Sequence, residues 1–381
     1  MTKIHPTSEA ELADAIASAK SPLRIQGGGT RPIGSVEKGD PLSTSGLSGI
    51  TLYEPGALTL VAQAGTPMAE IEAALEAENQ MLPFEPMDHR PLLGTTGTPT
   101  IGGVVGANVS GPRRVQAGAC RDSLIGVRYV NGEGGVVKNG GRVMKNVTGY
   151  DLVKLMAGSY GTLGVMSEVS FKVLPKPDFT TTLVMLGADW AATSAIFSKA
   201  MGSPFEVSGA ARLPKKSFDG AQGAVLLRLD GFEASVKYRT TALTEYLKKH
   251  GMDVDKIVTE PAENATLWKS IRDVEPFSGA ERDVWRLSVK PTDSKHLSQF
   301  VDQEHTVLDW AGGLVWAAVD PGTDVRAKMA GIGGHATLIR SANPTPAFPI
   351  FHPEVIPLAK LASDLRAQFD PKGILNPGLM G

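Results

Sequence analysis

Between Thr98 and Asp122 the chain reads T-P-T-I-G-G-V-V-G-A-N-V-S-G-P-R-R-V-Q-A-G-A-C-R-D, with glycines at 102, 103, 106, 111 and 118 among small apolar residues. Glycine this dense in otherwise strand-like sequence points to close approach by another backbone or by a ligand. No serine, histidine and aspartate arrangement suited to hydrolysis lies inside the stretch. A bulky, mostly planar ligand with a diphosphate, lying along a glycine-lined surface, accounts for the composition.

The flanking segments have their own patterns. Ser8-x-x-Glu11 is a capping box and predicts a helix over 8–20. Leu23 to Gln26 reads as a buried strand running into Gly27-Gly28-Gly29-Thr30. Such a loop is either an anion-binding nest or a plain turn. It is not a Rossmann fingerprint, because Pro32 and Gly34 follow and no helical pattern does. Leu58 to Ala64 alternates as a strand, with Thr66 expected as N-cap and Pro67 at the first position of a helix running to about Asn79. Leu124–Val130 and Gly135–Lys138 form a hairpin about Asn131-Gly132. Asp151 to Met156 reads as helix and Val165 to Val173 as strand, and Pro175 and Pro177 then mark a boundary.

Beyond it the pattern changes. Strands at 181–186, 224–229 and 284–289 alternate with helices at 190–200 and 233–249, which predicts an antiparallel sheet with helices on one face. A last helix is expected over 353–368. At 381 residues two domains are the natural expectation. With 38 basic and 40 acidic residues, no global field favours nucleic acid or an anionic membrane. A single cysteine, Cys120, excludes an internal disulfide framework and a cysteine-ligated iron–sulfur cluster. Met1 to Ala10 is polar and no apolar run reaches 18 residues, so a cytoplasmic setting is expected, with any membrane association made through partners.

Together Q-G-G-G-T at 26–30, T-I-G-G at 100–103, G-x-x-x-R-D at 118–122, the run from Lys145 to Glu168 and F-D-P-x-G-I-L-N-P-G at 369–378 resemble the PCMH-type FAD-binding fold of the vanillyl-alcohol oxidase group. Q-M-L-P at 80–83, G-P-R-R at 111–114, V-M-K-N-V-T-G-Y-D-L at 143–152, D-W-A-G-G-L-V-W at 309–316 and G-G-H-A-T at 333–337 are similar to the smaller flavin subunits of bacterial glycolate oxidase. The resemblance implies an α+β fold: a two-lobed FAD-binding domain over 1–177, an inserted α+β cap over 178–330, and a C-terminal segment, 331–381, returning to the FAD domain.

It also implies roles. Gln26, Gly27, Gly28, Gly29 and Thr30 would hold the FAD diphosphate through backbone N–H groups. Thr98, Thr100, Ile101, Gly102 and Gly103 would line the flavin and ribityl chain, with glycine where a side chain would strike the cofactor. Asp122 and the run Tyr160, Gly161, Thr162, Leu163, Gly164 and Val165 would complete the cofactor site. No histidine lies in the first glycine loop, so FAD is expected to be non-covalent. The implied partners are a larger flavin subunit and an iron–sulfur subunit, and the implied substrate is glycolate, oxidised to glyoxylate.

A 2-hydroxy acid needs a cation for its carboxylate and a base for its hydroxyl. The metal-binding histidine motif of the larger subunits is missing, because histidines 250, 296 and 305 lack its spacing, and no metal is expected. An assembly subunit that keeps FAD without turnover is therefore the alternative, and an autonomous oxidase of another hydroxy acid a third. The candidates for catalysis are His335, Arg286 and Arg114. His335 has a plainer reading as a hydrogen-bonded core histidine, and Arg113-Arg114 either neutralise cofactor phosphates or a substrate carboxylate or form a solvated turn after Pro112. Lys145 and Tyr150 are read as cofactor contacts or packing, Cys120 as redox-active or a buried filler, and Trp310 and Trp316 as core or subunit interface rather than electron relays. Asn376-Pro377-Gly378 is read as a turn locking the tail onto the FAD domain.

Overall fold

The computed structural model describes residues 3–34, 39–141, 149–215, 217–218 and 223–380. Lys145 and most of the 143–152 motif lie outside them. The expected helix after the capping box spans Glu9–Ser18, and the Ser8 side chain accepts from the Glu11 amide. The strand Leu23–Gln26 pairs in parallel with Asp40–Ser43. A five-stranded sheet follows, in the order Ile50–Glu54, Thr59–Gln63, Val165–Lys172, Leu124–Val130, Val136–Gly140. All its pairings are antiparallel.

Two local expectations fail for identifiable reasons. Thr66 does not cap the helix Met68–Ala77. Its hydroxyl donates to the Gln63 carbonyl at 2.7 Å and bonds Gly49, leaving Pro67 at the cap. The Thr98–Asp122 stretch is not strand-like. It folds as three short helices, Ile101–Gly106, Arg114–Ala117 and Cys120–Ser123, the first capped by the Thr100 hydroxyl. Cys120 is fully buried, and burial pushes its thiol pKa up, which fits the filler reading.

The second domain is an eight-stranded sheet in the order Lys256–Val258, Phe179–Leu186, Ala224–Gly231, Gly209–Leu213, Thr306–Asp309, Leu314–Val319, Asp283–Val289, Gly334–Arg340. Its last strand lies beyond residue 330, and there Arg286 pairs with Thr337 and Ser288 with His335. Side chains alternate between two cores, as strand geometry requires. Leu183, Leu227, Trp285, Val315 and Leu338 pack with Ile196, Phe197, Val236 and Leu243 of the helices Trp190–Met201 and Glu233–Lys249. Val184, Leu226, Val284, Leu314, Trp316 and Ile339 join the core that also holds Leu60, Val127 and Phe171 of the five-stranded sheet.

A buried ion network spans the two domains. Arg113 pairs with Asp230 at 2.6 Å, and Arg228 pairs with Glu85 at 2.9 Å. Burial pushes the Glu85 carboxyl up, but Arg228 and Arg113 outweigh it and hold the group below its usual range. The C-terminal segment meets the N-terminal strand. The helix Ile356–Phe369 leads to Leu375, which bridges to Leu23, and Asn376 donates its amide to the Leu23 carbonyl at 3.0 Å.

Candidate functional site

A cleft of about 570 Å³ opens between the strand Leu23–Gln26, the helix Ile101–Gly106 and the turn at Tyr160–Gly164. Gln26, Gly27, Gly28, Gly29 and Thr30 all border it, as do Thr100, Gly102, Gly103, Tyr160, Gly161, Gly164 and Val165. Five other expected residues do not. Ile101 and Leu163 are buried in the hydrophobic core, and Thr162 is buried with its hydroxyl on the Ser159 carbonyl at 2.7 Å. Asp122 is exposed and accepts from the Ala119 amide at 2.8 Å. Thr98 is exposed, and it is its carbonyl that matters, because it closes over Gly28.

Three glycines here are required by close approach within the protein itself. A Cβ on Gly28 would lie 1.5 Å from the Thr98 carbonyl oxygen, and one on Gly97 would lie 1.9 Å from the Gly28 oxygen. At Gly102 a Cβ would meet the Ala64 Cβ and oxygen at 2.7 Å. Glycine at 102, which borders the cleft, is thus also demanded by close packing against Ala64. Gly29 differs: its φ is +73° and nothing lies within 4 Å of its Cβ position. Among the described residues, no protein acceptor takes the N–H groups of Gly28, Gly29 or Thr30. Free donors on a loop bordering a cleft are the chemistry of an anion nest, and they fit a diphosphate.

A second cavity, of about 230 Å³, adjoins the first and shares Arg31, Met87, His89, Val109 and Tyr160 with it. It gathers the three catalytic candidates: Arg114, Arg286 and His335 all line it. The register of the cap sheet explains why. Arg286 lies opposite both Trp316 and Thr337, and Ser288 opposite both Leu314 and His335, so these six side chains share the face turned toward the FAD domain.

The cavity is strongly cationic. Among the described residues, Arg31, Arg114 and Arg286 have no carboxylate partner; each guanidinium instead lies over an aromatic ring, Arg31 on Tyr160 at 5.1 Å and Arg114 and Arg286 on Trp310 at 4.1 and 5.2 Å. Burial, reinforced by Arg114 and Arg31, lowers the Arg286 pKa to about 10, so it remains charged at neutral pH. Burial and then Arg121 act in the same direction on Arg114. His335 is exposed at the rim; desolvation, then Arg286, holds its imidazole below the usual value. Asp309 is buried against the same space, and desolvation raises its carboxyl to about 7. Half-buried guanidiniums with no carboxylate in ion-pair contact favour a bound anion, and a cavity this small suits a short carboxylate.

The arginine pair at 113–114 therefore divides its work. Arg114 faces the cavity, while Arg113 is buried and pairs with Asp230. Trp310, in the core as expected, donates its indole N–H to the Gly111 carbonyl at 2.9 Å, fixing the loop that carries both arginines. Tyr150 is 88% exposed and borders neither cavity. Sequence reasoning missed Arg31, His89 and Asp309. The signal for His89 was its place in P-M-D-H-R-P, a loop too rigid in its prolines to be a free connection.

The comparisons with known proteins agree with this geometry. The family described as FAD binding domain matches residues 3–140. The glycolate oxidase subunit GlcE of Escherichia coli is 35% identical over 97% of this chain and 95% of its own length. A D-lactate dehydrogenase of Archaeoglobus fulgidus is 23% identical over 98% of this chain and 90% of its own. Among solved structures, an alkyldihydroxyacetonephosphate synthase superposes with a TM-score of 0.71 at 15% identity, covering 99% of this chain and 76% of that one, a likeness of fold.

Proposed function

We propose that this chain, which belongs to the family of the glycolate oxidase subunit GlcE, oxidises a small 2-hydroxy acid, glycolate first, to the 2-oxo acid. The family is one of FAD-linked oxidoreductases acting on CH–OH groups, and FAD is the cofactor. Bound FAD supplies the two-electron acceptor. The glycine loop 27–30 would hold its diphosphate, and the wall formed by Thr100, Gly102, Gly103 and Tyr160–Val165 would hold the rest.

The observation that carries the reading is the set of unpaired guanidiniums of Arg31, Arg114 and Arg286 in a cavity that opens onto the cofactor cleft. They would clamp the substrate carboxylate and so orient the C–H bond; orientation of this kind contributes roughly 7–11 kcal/mol to catalysis. As a subunit relative, the chain would work with others. We infer a larger flavin subunit and an iron–sulfur subunit that receives the electrons, with any membrane reached through them. No helix among the described residues is long and apolar enough to cross one.

Anaerobic addition of glycolate to the FAD-loaded chain is expected to bleach the flavin band, and R286A to raise the half-saturating glycolate concentration about 10-fold or more. Flavin that stays oxidised in the isolated chain, but bleaches in the assembled complex regardless of R286A, would move the chemistry to a partner and leave this chain the assembly role.

A further inference from the structure

The carboxylate clamp leaves one chemical need unmet, a base for the substrate hydroxyl. A substrate held by Arg114 and Arg286 would reach a cofactor bound in the first cavity where the two cavities meet. Five residues are shared by both cavities: Arg31, Met87, His89, Val109 and Tyr160. Methionine and valine are apolar, a guanidinium has no acceptor, and a phenol is a far weaker base than an imidazole. Only the histidine offers an acceptor nitrogen. His335 borders the arginine cavity alone, and Asp309 also borders only that cavity, with its Oδ1 taken by the Trp310 amide at 2.7 Å.

From this juxtaposition, and resting on the substrate reading above, we propose that His89 is the catalytic base, taking the hydroxyl proton of the bound 2-hydroxy acid. The ring is buried, with 8% of the residue exposed. Its backbone is pinned on both sides. The His89 carbonyl accepts from the Leu93 amide at 2.9 Å, and next to it the Asp88 amide donates to Asp273 of the cap domain at 2.9 Å. Burial first, then Arg31 and Arg286, drives its pKa well below the usual histidine value, against the opposing pull of the Met87 backbone and Asp88. The imidazole is thus neutral at physiological pH and free to accept. The step balances: the O–H bond gives its proton to the ring nitrogen, and bound FAD would supply the acceptor for the C–H hydrogen and its electron pair, leaving a carbonyl.

The test uses the FAD-loaded chain, titrated with oxalate through the flavin spectrum and then reduced anaerobically by glycolate between pH 5.5 and 9. H89Q is expected to bind FAD and oxalate within about 2-fold of wild type but to be reduced at least about 100-fold more slowly. In D309N, which lacks the cavity carboxyl that titrates near 7, the reduction rate should be flat above pH 6.5 and fall only on the acid side. If H89Q loses FAD, H89N and the D309N profile decide. Reduction of either His89 variant at the wild-type rate, or a D309N rate that climbs between pH 7 and 9, overturns the assignment of His89 alone. Failure of oxalate to bind the wild-type chain, with no reduction, overturns the substrate reading and His89 with it.

Discussion

The Asn376 side-chain amide donates to the Tyr160 carbonyl at 2.8 Å, while its own carbonyl oxygen accepts from the Ile25 amide at 2.7 Å. A residue near the C-terminus thereby joins the strand that leads into the glycine loop to the turn on the opposite wall of the cleft. Both Tyr160 and Asn376 hold positive φ, +53° and +46°, so each wall is bent where the other supports it.

N376A should remove both bonds and place alanine in the left-handed region. The expected loss is about 2–4 kcal/mol of stability, together with weaker FAD retention. N376G keeps the backbone conformation and isolates the hydrogen bonds. Chemical denaturation with and without FAD reads both; an N376A chain as stable as wild type would show that the tail does not brace the cleft.

Gly28 and Gly29 should respond differently. In G28A the new methyl overlaps the Thr98 carbonyl, so the loop must move, and FAD affinity should fall about 10-fold to 100-fold. In G29A there is space, and the positive φ costs only about 1 kcal/mol. Equilibrium FAD titration of the two variants checks the order, and equal losses would contradict it.

Asp309 gives stability a pH dependence. Its folded pKa, about 7, lies above that of an unfolded aspartate. The native state therefore holds this proton more tightly, and the associated stability is full at about pH 4 and lost as pH rises through 7. The size is up to about 4 kcal/mol. D309N should become more stable relative to wild type across that interval. Parallel denaturation midpoints from pH 4.5 to 8 would rule out a buried carboxyl that titrates.

Linkage of the cofactor is checked by acid denaturation. The first glycine loop contains no histidine or cysteine, so flavin is expected in the supernatant after precipitation. Flavin retained in the pellet would contradict the non-covalent reading.

Much of this was legible in the chain, and what was not shares a cause. Helices such as Glu233–Lys249, and the strand Leu124–Val130, announce themselves by periodicity and local capping. The site residues that escaped notice depend on contacts distant in sequence. Arg113 and Arg114 are adjacent and look alike, yet one meets Asp230 and the other Trp310. The packing reason for glycine at 102 stays hidden because sequence alone does not place Ala64 against it. His89 gains its surroundings from Arg31 and Arg286, about 60 residues before it and about 200 after it, respectively.

Trp316 and Ala317 are neighbours in one strand and belong to different hydrophobic cores, the first shared with the FAD domain and the second with the cap helices. The cap sheet is therefore a party wall. Grafting this cap onto another flavoprotein, or deleting it to simplify the scaffold, would strip one side of the cofactor domain's own interior. Specificity in such a chain is open to change by substitution along Arg286, Trp316 and Thr337, and closed to exchange of the module as a whole.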